Sequence, residues 1–263
     1  MKLAIAGKGG VGKTTLTAAL ARHLARLGRG VIAVDADPDG NLASALGAPS
    51  DSLPEPIARM RDLILDRTGA KDEAGGLLFT LNPKVDDLPG RFSVEVGGVR
   101  LLVLGTVEWG GKGCMCPEGA VLKALLQHLL LRIPDDVILD MEAGLEHMGR
   151  ASARGVDAMI AVVEPGMRSV QTATRIQTLA KEIGIRRAFV VLNKVNHPRE
   201  VEILARAMPG QVVLGALPFC PELASADLEG RPASPEAPAF VEAIDGIREA
   251  LEMQIGGQRA VPG

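Results

Sequence analysis

The nine residues Gly7-Lys8-Gly9-Gly10-Val11-Gly12-Lys13-Thr14-Thr15 constrain this chain more than any other stretch, because their pattern requires a strand before them and a helix after them. Gly7 and Gly12 frame G-x-x-x-x-G-K-[ST], a loop whose backbone N–H groups point at phosphate oxygens. The apolar run Leu3 to Ala6 precedes it, and Leu16, Leu20, Leu24 and Leu27 follow at helical spacing. Phosphates would therefore sit at a positive helix N-terminus. Gly9, Gly10, Val11, Gly12, Lys13, Thr14 and Thr15 are the expected cradle of a nucleotide. Within it, Lys13 is expected on the outer phosphates, and the Thr14 hydroxyl on a magnesium ion (Mg2+) that bridges them. Lys8 has no such task in its own chain.

Buried-looking apolar runs recur at Val31 to Asp35, Arg100 to Leu104, Val137 to Asp140, Ala158 to Val163, Ala188 to Asn193 and Val212 to Leu217. They alternate with helical patterns such as 167–183, so the expected fold is α/β: a doubly wound, mostly parallel sheet with helices on both faces. Gly97-Gly98 between Ser93–Val96 and Val99–Leu104 predicts a small antiparallel edge hairpin. A single domain over 1–255 is expected, with 51–90 an irregular insertion holding a short helix near Ile57 to Asp66, and 256–263 a flexible tail.

Composition narrows the partners. At 263 residues and 47% hydrophobic the chain can bury a large core, and with no Tyr, five Phe and one Trp that core is aliphatic. The net charge of −3 gives no global argument for nucleic acid or an anionic membrane. No secretory leader pattern and no apolar run of membrane-spanning length is evident, and three cysteines make no disulfide framework. The expectation is a cytoplasmic protein with working thiols.

Val34-Asp35-Ala36-Asp37-Pro38-Asp39-Gly40-Asn41 places carboxylates at the end of the second strand, near the phosphate loop of a doubly wound sheet, where one of them is expected to position water. Leu139-Asp140-Met141-Glu142-Ala143-Gly144 is another apolar strand that ends in an aspartate and a flexible glycine. Leu192-Asn193-Lys194 closes a later strand with an amide suited to a purine edge, and Leu217-Pro218-Phe219 follows the next strand.

These segments together resemble the nitrogenase-iron-protein, MinD and ParA class of ATPases, whose deviant Walker A loop reads G-K-G-G-x-G-K-T-T. That resemblance implies a SIMIBI-like P-loop NTPase fold and a homodimer in which Lys8 crosses to the partner's nucleotide. It further implies that Asp37 orients the attacking water, that Asp35 and Asp140 lie in the magnesium shell, that Gly144 senses the γ-phosphate, and that Asn193 and Lys194 hold the base, with Leu217-Pro218-Phe219 as the neighbouring apolar wall. No acidic residue follows Lys194 as in guanine-reading loops, so ATP is favoured over GTP.

Gly111-Lys112-Gly113-Cys114-Met115-Cys116-Pro117-Glu118 sets two thiols before a leucine-rich helix, whose positive end favours the thiolates that borderline metals bind. Two ligands do not complete a tetrahedral site, whereas Cys114 and Cys116 from both chains of a dimer would supply four. G-x-C-x-C-P-E together with Leu139 to Arg150 and Leu81 to Asp87 is similar to the CooC family of nickel-insertion ATPases. This similarity implies nickel (Ni2+), or zinc (Zn2+), at the shared thiols, and a nickel-iron-sulfur client, carbon monoxide dehydrogenase or another nickel enzyme such as acetyl-CoA synthase.

Other functions stay open. An iron-sulfur electron donor of this class takes a second cysteine from a separate segment, and none lies near Asp140; an iron-sulfur carrier typically shows C-x-x-C. A positioning ATPase of the MinD kind needs a basic amphipathic tail, but Ile247 to Gly263 sets Arg248 and Arg259 against Glu249 and Glu252, and no basic patch for DNA is evident. Cys220 is expected to be a packed thiol near the base, while His147 and Trp109 have no assigned task.

Overall fold

The structure is a computed structural model that describes residues 1–37, 40–49, 53–70, 78–105, 116–142, 150–229 and 237–256. Its centre is a sheet of eight strands: β1 (Lys2–Gly7), β2 (Val31–Ala36), β3 (Val94–Val96), β4 (Val99–Val103), β5 (Asp136–Met141), β6 (Ala158–Val163), β7 (Ala188–Val195) and β8 (Val212–Pro218). They lie in the order β3-β4-β2-β5-β1-β6-β7-β8, and every neighbouring pair is parallel except β3 with β4. The expected strands all form, with ends shifted by one or two residues.

Continuous apolar runs are what a sheet covered on both faces requires, and β1, β2, β5 and β6 are buried almost throughout. Alternate residues serve opposite faces. Leu3, Ile5, Val31 and Ala33 meet α1 (Lys13–Arg26), the short α2 (Leu42–Ala45) and the last helix, Pro238–Gly256. Ala4, Ala6, Ile32 and Val34 meet the other layer, which includes α3 (Arg61–Thr68), α4 (Leu88–Phe92), α5 (Pro117–Leu131), α6 (Arg150–Ala153), α7 (Met167–Ile183) and α8 (Pro198–Ala207). The chain then adds α9 (Pro221–Leu228) and α10 (Pro238–Gly256).

The edge hairpin forms as expected. Gly97 and Gly98 have φ of 58° and 81°, both left-handed, which a two-residue turn matching the strand twist requires. The single helix expected near 57–66 is instead a 3-10 turn, Ile57–Arg59, followed by α3, because Met60 leaves helical geometry at ψ 76°. Ile57, Ile64, Val85 and Leu88 of this region are buried in the core beneath the helical layer, where the 3-10 turn and α3 pack against α5. Arg67 ties it together by donating to the Lys84 carbonyl at 3.2 Å and to Asp87 at 2.6 Å. With Arg91, it holds the Asp87 carboxyl down at about 2.

Candidate functional site

Parallel pairing brings the C-terminal ends of β1, β2, β5, β6, β7 and β8 to one rim, and loops from that rim enclose a cavity of about 500 Å³. Gly9, Gly10, Gly12, Lys13, Thr14 and Thr15 line its floor. The turn depends on glycine: Gly10 and Gly12 have φ of 79° and 93°, and Gly12 N-caps α1. A Cβ on Gly7 would lie 2.8 Å from the Val11 side chain and 2.9 Å from the Val162 carbonyl, so β1 and β6 approach closely only without one. The α1 N-terminus has no side-chain cap and no acidic residue in its first turn, which leaves its positive end for a ligand. Val11 is fully buried beneath the loop, whereas Lys8 is exposed on it.

Three carboxylates converge beside Lys13. Its ammonium lies 3.3 Å from Asp37 Oδ2, with both side chains nearly enclosed. Thr14 Oγ1 donates to Asp140 Oδ2 at 2.6 Å, and Thr17 Oγ1 lies 3.4 Å from Asp140 Oδ1. Sheet register sets Asp35 opposite Asp140 on adjacent strands. Burial pushes the Asp140 carboxyl up to about 7 against the hydrogen bond from Thr14, and pushes Asp35 up to about 6 against two backbone hydrogen bonds.

The hydroxyl and carboxylate of Thr14 and Asp140 are hard oxygen donors beside a phosphate cradle, and they fit magnesium. Asp35 has a further task in the structure. Its Oδ1 accepts the Asp37 N–H at 3.2 Å and its Oδ2 the Leu42 N–H at 3.0 Å. It therefore braces the turn that carries Asp37, a task legible in sequence only as an aspartate entering a turn.

On the base side, Asn193 is buried, and its Nδ2 donates to the Val11 carbonyl at 2.7 Å. Lys194 donates to the Gly10 carbonyl at 2.6 Å and pairs with Glu164 at 3.2 Å. Both residues line the cavity, but both side chains hold the phosphate loop. Leu217 lies apart from the cavity lining: it is wholly buried in the α1 and α10 core. Strand alternation sends Leu217 and Pro218 to opposite faces, and the wall is Pro218, Phe219, Cys220 and Leu223.

Cys220 is buried and donates to Glu222 at 3.0 Å, with burial pushing its thiol up, which agrees with a packed thiol near the base. Glu164 was missed by sequence reasoning. Its only signal was an acidic residue at the exit of β6, before Pro165-Gly166.

Cys116 is the N-cap of α5, Pro117 is its first residue as expected, and Cys116 Sγ accepts the Gly119 N–H at 3.3 Å. Cys114, Gly144, Trp109 and His147 lie outside the described residues, and among the described ones no three His, Cys, Asp or Glu side chains are arranged to hold a metal ion by themselves. Nor is any helix among them long and apolar enough to cross a membrane.

The profile of the CobQ/CobB/MinD/ParA nucleotide binding domain family matches residues 2–233. The chain is 42% identical over 263 residues to the carbon monoxide dehydrogenase accessory protein CooC of Rhodospirillum rubrum, covering 99% of this chain and 100% of that protein. An uncharacterized ATP-binding protein of Methanocaldococcus jannaschii is also 42% identical, over 92% of this chain and 94% of its own length. A chain of the MinC:MinD cell division protein complex of Aquifex aeolicus superimposes with a TM-score of 0.68 at 22% identity, covering 100% of this chain and 97% of that one. MinD of Pyrococcus horikoshii, complexed with Mg-ADP, gives 0.65 at 22% identity, covering 99% and 100%. At those identities the structural likeness speaks for the fold.

Proposed function

The chain belongs to the CobQ/CobB/MinD/ParA nucleotide-binding domain family and to the CooC relatives within it, and on that premise we propose that it is an ATP-hydrolysing accessory protein that loads nickel into carbon monoxide dehydrogenase. The convergence of Lys13, Asp37, Thr14 and Asp140 on one phosphate loop is the observation that carries the ATPase part. In this proposal Lys13 leaves Asp37 for the outer phosphates, and the freed carboxylate orients the attacking water. Thr14 and Asp140 would hold magnesium, which would supply positive charge against that developing on the phosphoryl group. Lys8, exposed on the loop, serves the partner's nucleotide, and Gly144 reports the γ-phosphate.

The metal part rests on full-length identity to CooC and on Cys116 at the head of α5, where the helix end favours a thiolate. Cys114 and Cys116 from two chains complete a four-thiolate site for the cargo ion. The homodimer thereby joins nucleotide state to metal capture.

Nickel titration with and without ATP, with mass followed by light scattering, tests both parts. One nickel per dimer, with affinity that depends on the nucleotide, is expected; metal bound tightly by a monomer removes the shared site. Cys116→Ser separates ligation from folding, since serine caps a helix well. It should keep the melting temperature and lose nickel. A brown protein after anaerobic purification would instead favour an iron-sulfur cluster.

A further inference from the structure

Asn193 and Lys194 leave β7 at an irregular point. The pairing of β7 with β8 shifts register between Leu192 and Val195, and Lys194 has φ 57°, the one left-handed non-glycine backbone among the described residues. A side chain with a Cβ adopts that conformation at an energetic cost, and it persists where the surroundings over-determine it. Here they do. Lys194 Nζ donates to the Gly10 carbonyl at 2.6 Å and lies 3.2 Å from Glu164 Oε2, and the neighbouring Asn193 amide donates to the Val11 carbonyl at 2.7 Å.

Each bond fixes a peptide plane of the phosphate loop. In a trans peptide the N–H lies opposite the C=O, so anchoring the Gly10 carbonyl also fixes the Val11 N–H, which donates to the Lys8 carbonyl at 3.4 Å. Anchoring the Val11 carbonyl turns the Gly12 N–H away from Asn193. Two left-handed glycines make this loop adaptable, and the two side chains from β7 limit that freedom.

Glu164 makes the arrangement specific. Its backbone N–H donates to Ser169 Oγ at 3.2 Å, which fixes it against the first turn of α7. Its carboxylate then offsets the Lys194 charge, unlike that of Lys13, whose partner is a residue at the reacting end.

We propose that Lys194, held by Glu164, is a positioning residue that keeps the Gly10–Val11 peptide, and with it the Lys8 carbonyl, in the conformation that receives phosphates. Asn193 shares that task through Val11. The proposal deepens the nucleotide reading above and rests on it.

The test uses the full chain with Lys194→Met, Lys194→Arg and Glu164→Gln. Titrations with ADP, a non-hydrolysable ATP analogue and GDP are paired with amide hydrogen exchange over residues 8–15 without nucleotide. Lys194→Met should weaken ADP and the ATP analogue by the same factor, about tenfold, leave the ADP-to-GDP preference unchanged, and speed exchange in the loop. Lys194→Arg should recover part of each effect. Glu164→Gln should act in the same direction but less, and combining it with Lys194→Met should add nothing further.

A loss confined to the ATP analogue would place Lys194 on the terminal phosphate, and an altered ADP-to-GDP ratio would place it on the base; either overturns the proposal. Unchanged affinity and exchange in Glu164→Gln also overturn it, even if Lys194→Met does not fold. Absence of ADP binding by the natural chain would remove the nucleotide reading, while hydrogen exchange would still decide whether the clamp exists.

Discussion

The ammonium of Lys13 lies 3.3 Å from a carboxylate oxygen of Asp37, joining the first residue of α1 to the turn that leaves β2. The pair is nearly closed to solvent, so each charge depends on the other. A phosphate arriving at α1 competes directly with Asp37 for this lysine. Occupancy of the loop is thereby linked to the position of the second strand's exit, which Asp35 braces from behind through the Asp37 and Leu42 N–H groups.

Lys13→Ala should reduce nucleotide affinity by about 10- to 100-fold, the range for losing a charge-assisted contact. Asp37→Ala should retain ATP binding and lose hydrolysis. Calorimetric titration beside phosphate release distinguishes them, and equal loss of binding in both variants would remove the hydrolytic role of Asp37.

Gly12 answers to two demands. Its φ of 93° disfavours any side chain, and a Cβ there would collide with the Asn193 amide. Gly12→Ala should destabilise the fold by about 1–3 kcal/mol and abolish nucleotide binding. Adding Asn193→Ala should recover the steric part and leave the backbone part, as chemical denaturation of the single and double variants would reveal.

Leu217 and Phe219 separate core from cavity. Leu217→Ala should cost about 2–5 kcal/mol of stability while sparing nucleotide affinity. Phe219, half-exposed on the cavity wall, should behave conversely as Phe219→Ala. A Leu217→Ala protein with native stability and poor ADP binding would restore the original assignment of Leu217 to the base pocket.

Asp140 at about 7 and Asp35 at about 6 stand above their ordinary 3.8, so the folded chain binds these protons more tightly than the unfolded one. Their stabilising effect is full below about pH 3.8 and is lost as the pH rises through 6 to 7. Each group contributes a slope of at most about 1.4 kcal/mol per pH unit. Without nucleotide and magnesium, melting measured from pH 5 to 7.5 should fall, and Asp140→Asn should flatten the fall. An equally steep fall in that variant would exclude Asp140 as its source.

Much of the fold was legible because it is written locally. Strand, loop and helix around Gly7 to Thr15, the Gly97-Gly98 hairpin, and the helix 167–183 each follow from periodicity or turn chemistry within a few residues. The region 51–90 was less legible. Ile57, Ile64, Val85 and Leu88 are scattered among polar residues, and they join one core only through packing with α5 and the sheet face it covers.

By itself, the sequence determined that a phosphate loop heads a helix in a parallel α/β sheet, since the glycine spacing falls between an apolar strand run and a helical leucine pattern. Tertiary structure alone decided which distant groups meet. Thr14 and Asp140 are 126 positions apart and Val11 and Asn193 are 182, and strand order, which no local pattern encodes, brings each pair together. It also turned Leu217 inward beside an outward Pro218, and set Asp35 on the backbone behind Asp37. Residue type named the candidates, but the face each strand buries fixed their tasks.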